Sequence, residues 1–201
     1  DGSSAEMDSV IIENNSTQNW GGGVYLYINC SATIINSTIN NNSALNANGG
    51  GIAVDDESNL ILDNVIVENN ESSTGGGIYS RESEIYISNT QFENNSSGVG
   101  GGIFNNSYCK IQNSSFINNS ATAGRGGAIL NNKDLLIFDS IFDSNLAGDR
   151  GGAICSDYGE LIDEPDTVQN CIFQNNYAGF GGAIMLGNFQ GIICKENLFI
   201  L

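Results

Sequence analysis

With 201 residues, 23 acids against six bases and no histidine, the chain carries a formal net charge of −17 at pH 7. That charge repels nucleic-acid phosphates and anionic membrane surfaces, which excludes both as partners, and the missing histidine removes the commonest acid/base residue and metal ligand. Hydrophobic content of 40% can fill a core, yet no apolar run reaches transmembrane length and no signal peptide is visible, so this segment is not expected to insert into a membrane.

The chain opens at Asp1 rather than Met, as expected of a processed product or a piece of something longer. From there a repeat runs to the end. Gly-Gly-Gly or Gly-Gly-Ala followed by Ile or Val begins at Gly21, Gly49, Gly75, Gly100, Gly126, Gly151 and Gly181. Successive copies lie 28, 26, 25, 26, 25 and 30 residues apart. A fixed period of this size marks a solenoid, propeller or array. Because it spans the chain, residues 1–201 read as one repeat domain.

Each copy predicts three short strands. The first carries the apolar residue after the glycines. The second holds an apolar pair with a spacing of two, as in Leu60/Leu62, Ile85/Ile87, Cys109/Ile111 and Leu135/Ile137. The third centres on Ile12, Ile39, Val67, Phe92, Phe116, Phe142, Phe173 and Phe199. A step of two is the strand period, and no sustained helical stripe occurs. One such coil cannot bury its own apolar face. Stacked coils can, with like residues above like at roughly 4.8 Å. The expected fold is therefore all-β, a parallel β-helix of about seven coils.

Asn follows the third apolar landmark by three positions, at Asn15, Asn42, Asn70, Asn95, Asn119, Asn145 and Asn176. Asn tolerates the left-handed conformation of turns, and its amide can bond the identical amide one coil away, giving a ladder. Two places later comes a small residue (Thr17, Ala44, Ser72, Ser97, Ala121, Ala147, Ala178), which a tight corner explains. The residue before each glycine run varies: Trp20, Asn48, Thr74, Val99, Arg125, Arg150 and Phe180. Variation at a fixed position implies exposure, so Trp20, Arg125, Arg150 and Phe180 form a candidate ligand edge.

The paired signature is fullest in Phe116-Ile117-Asn118-Asn119 with Gly126-Gly127-Ala128-Ile129, and in Phe173-Gln174-Asn175-Asn176 with Gly181-Gly182-Ala183-Ile184. It resembles the repeat of the chlamydial polymorphic outer membrane proteins and the adhesin-like β-helix repeats of methanogenic archaea and other microbes. The first four copies depart in having Gly for Ala, and the first three in having Ile or Val for Phe. The resemblance implies a right-handed coil and a cell-surface or secreted role, and leaves the ligand open.

Other chemistry falls on the acids and thiols. Paired carboxylates hydrolyse glycosides at a suitable separation, and the candidates are Asp55-Asp56-Glu57 and the group Asp157, Glu160, Asp163, Glu164 and Asp166. Both groups read as solvated loops, with a calcium site as an alternative use of their oxygens. The second lies in a loop insertion near 156–167, where Ile154 to Phe173 spans 19 residues against 13 to 15 elsewhere. Cys109 and Cys194 occupy core positions as small hydrophobes. Cys155 and Cys171 flank the insertion and are a candidate disulfide in an exported chain. Asn-x-Ser/Thr sequons, as at Asn15, Asn36, Asn70, Asn95 and Asn113, arise where the ladder needs Asn and the turn favours Ser. The expected function is adhesion, or a structural spacer, at an extracellular or cell-surface location, with no catalytic residues and no cofactor. Expected partners are a protein or glycan surface ligand, or copies of the chain stacked end to end. The rivals are a carbohydrate-active β-helix enzyme on acidic polysaccharide and a structural filament subunit.

Overall fold

The computed structural model describes residues 2–157, 166–187 and 192–200. Every regular element among them is a short β-strand, and strands pair in parallel with their counterparts one coil away. Register is kept from end to end. Ile103 pairs Ile78 and Ile129, and Phe116 pairs Phe92 and Phe142. The result is a solenoid of about seven turns walled by three sheets, of 13, eight and five strands.

The largest sheet carries the first two strands of each coil, which fuse in Ile78–Ser88 and Ile103–Gln112. The eight-stranded sheet carries the Phe strands, such as Ser115–Ile117 and Ile141–Asp143. The third sheet lies where only a tight corner was expected. Ser43–Asn48, Glu71–Thr74, Ser96–Val99, Ser120–Ala121 and Leu146–Ala147 are strands that follow the ladder Asn. Their small residues Ala44, Ser72, Ser97, Ala121 and Ala147 are buried.

The glycine run explains how that third wall fits. The first glycine turns the chain at positive φ, 68° at Gly126, a conformation costly for a residue with a Cβ. The second glycine lies directly on neighbouring backbone. A Cβ on Gly127 would sit 2.1 Å from the Gly152 carbonyl oxygen and 2.7 Å from the Leu146 backbone. The third position has slightly more room, which is why Ala serves there in Ala128, Ala153 and Ala183.

Inside, the columns are continuous. Phe92, Phe116, Phe142, Phe173 and Phe199 stack with centroids 4.7, 4.9, 4.9 and 5.1 Å apart and planes within 12° of parallel. Ile52, Ile78, Ile103, Ile129 and Ile154 form a second, fully buried column. Each such side chain contributes roughly 1.5–3 kcal/mol by leaving water. Cys109 completes the column of Leu60, Ile85 and Leu135, and Cys194 is exposed in the last described coil.

The proposed Cys155–Cys171 disulfide is absent, and both thiols are free and buried. Cys155 contacts Met185 in the next coil, and Cys171 Sγ bonds the Gln169 carbonyl. Burial pushes Cys155 up to about 12 and Cys171 up to about 11, so neither is a thiolate near neutral pH.

Candidate functional site

In six of the seven ladder coils two asparagines divide the work that the sequence reading gave to one, and Ser144 takes the turn place before Asn145. Asn14, Asn41, Asn69, Asn94, Asn118 and Asn175 take the left-handed turn, with φ between 53° and 59°. The following Asn forms the ladder. Asn119 Nδ2 donates to Asn145 Oδ1 (3.1 Å) and to the Phe92 carbonyl (2.9 Å). Its Oδ1 accepts from Asn95 Nδ2 (3.0 Å) and the Asn95 backbone N–H (3.1 Å). The amide-to-amide bond runs unbroken from Asn15 through Asn42, Asn70, Asn95, Asn119 and Asn145 to Asn176. The five residues from Asn42 to Asn145 are buried with every bond filled, so they are structural and present nothing to a ligand.

A second column, of hydroxyls, went unread in the sequence. Ser114 and Ser140 each donate to the carbonyl two residues earlier and accept a backbone N–H from the adjacent coil. Its signal was present as Ser37, Thr90, Ser114 and Ser140 at one repeat position, hidden by Val65 and Cys171 in the same row.

With Asn and Gly consumed by the scaffold, chemistry concentrates on the face at the glycine turns. The residue before each turn stacks coil on coil, and Arg125 bridges Arg150, which bridges Phe180. All three arginines of the chain and its single tryptophan lie here. Asp157, nearly buried, accepts from Arg125 and from Arg150 Nη1 (3.3 Å). Arg150 also pairs with Asp149 at 3.3 Å. Phe180 is 65% exposed. Beside it a cavity of about 310 Å³ is lined by Arg150, Asp157, Phe180, Met185, Leu186 and Gly187. Trp20 stands apart from these three, four coils from Arg125, or roughly 19 Å at ~4.8 Å per coil. It sits among aromatic rings instead, with Tyr25 at 5.8 Å, Tyr79 at 5.5 Å and the Arg81 guanidinium 5.2 Å above it.

The carboxylates differ from the solvated loops expected. Asp55 is a fully buried strand residue held by Arg81 through two bonds of 2.7 and 2.8 Å. Asp56 and Glu57 follow it in a left-handed turn, with φ of 49° and 56°. Asp166 stands inside the aliphatic column, beside the Leu135 position and opposite Ile192. It accepts from the Leu135 N–H (2.8 Å), Asn131 Nδ2 (2.8 Å) and Ser156 Oγ (3.0 Å). Burial pushes its pKa up to about 6 against those bonds, which lower it. Nearby, Ser80 Oγ and Asn105 Oδ1 are buried without a hydrogen-bond partner. Glu160, Asp163 and Glu164, and with them most of the insertion, lie outside the described residues. Among the described residues no three His, Cys, Asp or Glu side chains converge as a metal site, and no helix is long and apolar enough to cross a membrane.

Comparison with known families agrees with this architecture. The Chlamydia polymorphic membrane protein repeat matches residues 9–27, the span that holds Asn15 and the first glycine run. No curated protein and no solved structure matches the chain. The right handed beta helix region matches residues 22–199, nearly the whole repeat array. By that match, and by its stacked parallel coils, the chain belongs to the right-handed β-helix family.

Proposed function

We propose that the chain is a non-enzymatic, extracellular or cell-surface β-helix segment that acts in adhesion, with the glycine-turn face as its contact surface. One observation carries the reading. The ladder asparagines, the turn glycines and the Ser114 and Ser140 hydroxyls are committed to the scaffold, while the chain's arginines and tryptophan lie on one face. A repeat solenoid offers such an extended surface rather than a dedicated pocket. The resemblance to the polymorphic membrane protein repeat supports a surface location. The ligand is a protein or glycan, and binding needs no cofactor. Against the enzyme reading, Asp55 and Asp157 are tied to arginines and Asp166 is enclosed in the core.

The test has two arms. Labelled chain is applied to a panel of cell surfaces, and the same chain is incubated with acidic polysaccharides while reducing ends and unsaturated products are measured. Saturable attachment with no product supports adhesion. Product release establishes the enzyme, and no attachment to any surface leaves the spacer or filament reading.

A further inference from the structure

The aromatic end of this face has the chemistry of a sugar-binding platform. Tyr25, Ala53 and Tyr79 are successive residues of one outward row. Ala53, small and fully buried, leaves room for Trp20 to lie across the middle coil and reach both tyrosines. Tyr27 stacks on Tyr25 with centroids 5.5 Å apart and planes 22° from parallel. Tyr25 and Tyr27 are 42% and 46% exposed. Exposed rings with polar edges are rigid, so ordering them on a ligand costs little entropy.

The charges beside the rings are already matched. Arg81 stacks over Trp20 while both its Nε and Nη2 bind the buried Asp55. Its guanidinium also lies 3.7 Å from Asp56. An anionic ligand meets no unspent positive charge, within a chain of net charge −17. A cationic ligand finds the face of Trp20 occupied by Arg81. What remains is a neutral ligand with an apolar face for the rings and a rim of hydroxyls for the fixed Arg81 and Asp56 groups. A pyranose has both. The platform covers three coils, roughly 10 Å along the axis at ~4.8 Å per coil. A square patch of that side is roughly 100 Å², far below the roughly 800 Å² per partner of a stable protein interface.

We propose that Trp20, Tyr25 and Tyr27, backed by the buried Tyr79 and the Arg81–Asp55 pair, form a binding site for a neutral oligosaccharide. The inference rests on the adhesive reading and gives it a ligand class.

Trp20 is the chain's single tryptophan, so its emission reports on this site alone. The probes are neutral hexaoses of the cello-, manno- and xylo-series, with polygalacturonate as the charged comparison. The expected result is a saturable change in Trp20 emission with at least one neutral hexaose and none with polygalacturonate. Tyr25→Ala and Tyr27→Ala each weaken that binding by about tenfold, equivalent to roughly 1.4 kcal/mol. Tyr177→Ala, on a different edge and 68% exposed, leaves it unchanged. Tyr27 is the more exposed of the pair, so Tyr27→Ala still decides if Tyr25→Ala disturbs its coil. No response to any neutral hexaose, or binding that survives both substitutions, overturns the site. Attachment to cell surfaces is measured in parallel before and after enzymatic removal of glycans. Attachment that persists without a sugar response sinks this inference and spares adhesion through a protein ligand. A sugar response without attachment upholds the site and sinks the adhesive role.

Discussion

The division of labour between neighbouring asparagines gives a sharp prediction at Asn118 and Asn119. Asn119→Ala removes a buried amide that fills four hydrogen bonds. The Asn95 backbone N–H and the Phe92 carbonyl lose the Asn119 partner recorded for each, and the Asn95 and Asn145 amides each lose one bond. Asn95 Nδ2 keeps the Val67 carbonyl, and Asn145 Oδ1 keeps the Asn119 backbone N–H. One orphaned backbone N–H at about 1–3 kcal/mol, with smaller losses at the Phe92 carbonyl and the two amides, gives an expected cost of about 2–4 kcal/mol. Asn119→Gly costs at least as much, because backbone freedom is not what this position supplies. Asn118 behaves in the opposite way. At φ 54° and exposed, it needs only a left-handed backbone. Asn118→Ala costs about 1–2 kcal/mol, and Asn118→Gly is close to neutral. The assay is the urea midpoint at constant m-value, with hydrogen exchange at the Asn95 amide as a local readout. A cost under about 1 kcal/mol for Asn119→Ala, or equal costs for Asn118→Gly and Asn119→Gly, refutes the assignment.

Three further outcomes are expected. Phe116→Ala empties a fully buried place between rings 4.7 and 4.9 Å away and costs about 3–5 kcal/mol by denaturation; a loss below about 1 kcal/mol means the column is wrongly assigned. Gly102→Ala costs less than Gly127→Ala: Ala fills the Gly102 repeat position in later coils and its Cβ would lie 2.8 Å from the Ala128 carbonyl oxygen, whereas the Cβ added at Gly127 would lie 2.1 Å from the Gly152 carbonyl oxygen, so that Gly127→Ala unfolds its coil or shifts it measurably. Asp166, with a pKa of about 6 in the fold and near 4 unfolded, keeps its proton longer when folded. Stability therefore falls as pH rises across that window, by about 3 kcal/mol, and levels off above it. Asp166→Asn removes this component, and a variant whose pH–stability curve parallels that of the parent contradicts the burial of the carboxyl.

The coil period, the Phe and Ile columns and the positions of the ladder were legible because each recurs at a fixed place in every copy. The third sheet was not. Its strands run from two to six residues, and Ala44 or Ser97 alone is too weak an inward signal to separate a strand from a corner. The burial of Asp55 was hidden by its neighbours, since Asp-Asp-Glu looks like a solvated loop. The clue lay one coil on, where Arg81 holds the matching position. Asp166 was readable as an acid in an otherwise apolar row, but the length of the insertion drew it into the loop. Trp20 and Arg125 share a repeat position, which says nothing of the coils between them. Their separation follows from stacking, and the partners of Trp20 come from the rows after the glycines rather than from its own.

The claim that function resides on the glycine-turn face is tested most directly by a substitution scan of surface attachment, one residue per coil on each wall. Trp20, Arg150 and Phe180 sample the glycine-turn face, and Glu68, Glu93 and Asp143 sample the outside of the Phe sheet. The account predicts that substitutions in the first set lower saturable attachment to the responding surface while those in the second leave it unchanged. Attachment that depends on Glu68, Glu93 and Asp143 and ignores Trp20, Arg150 and Phe180 would contradict it.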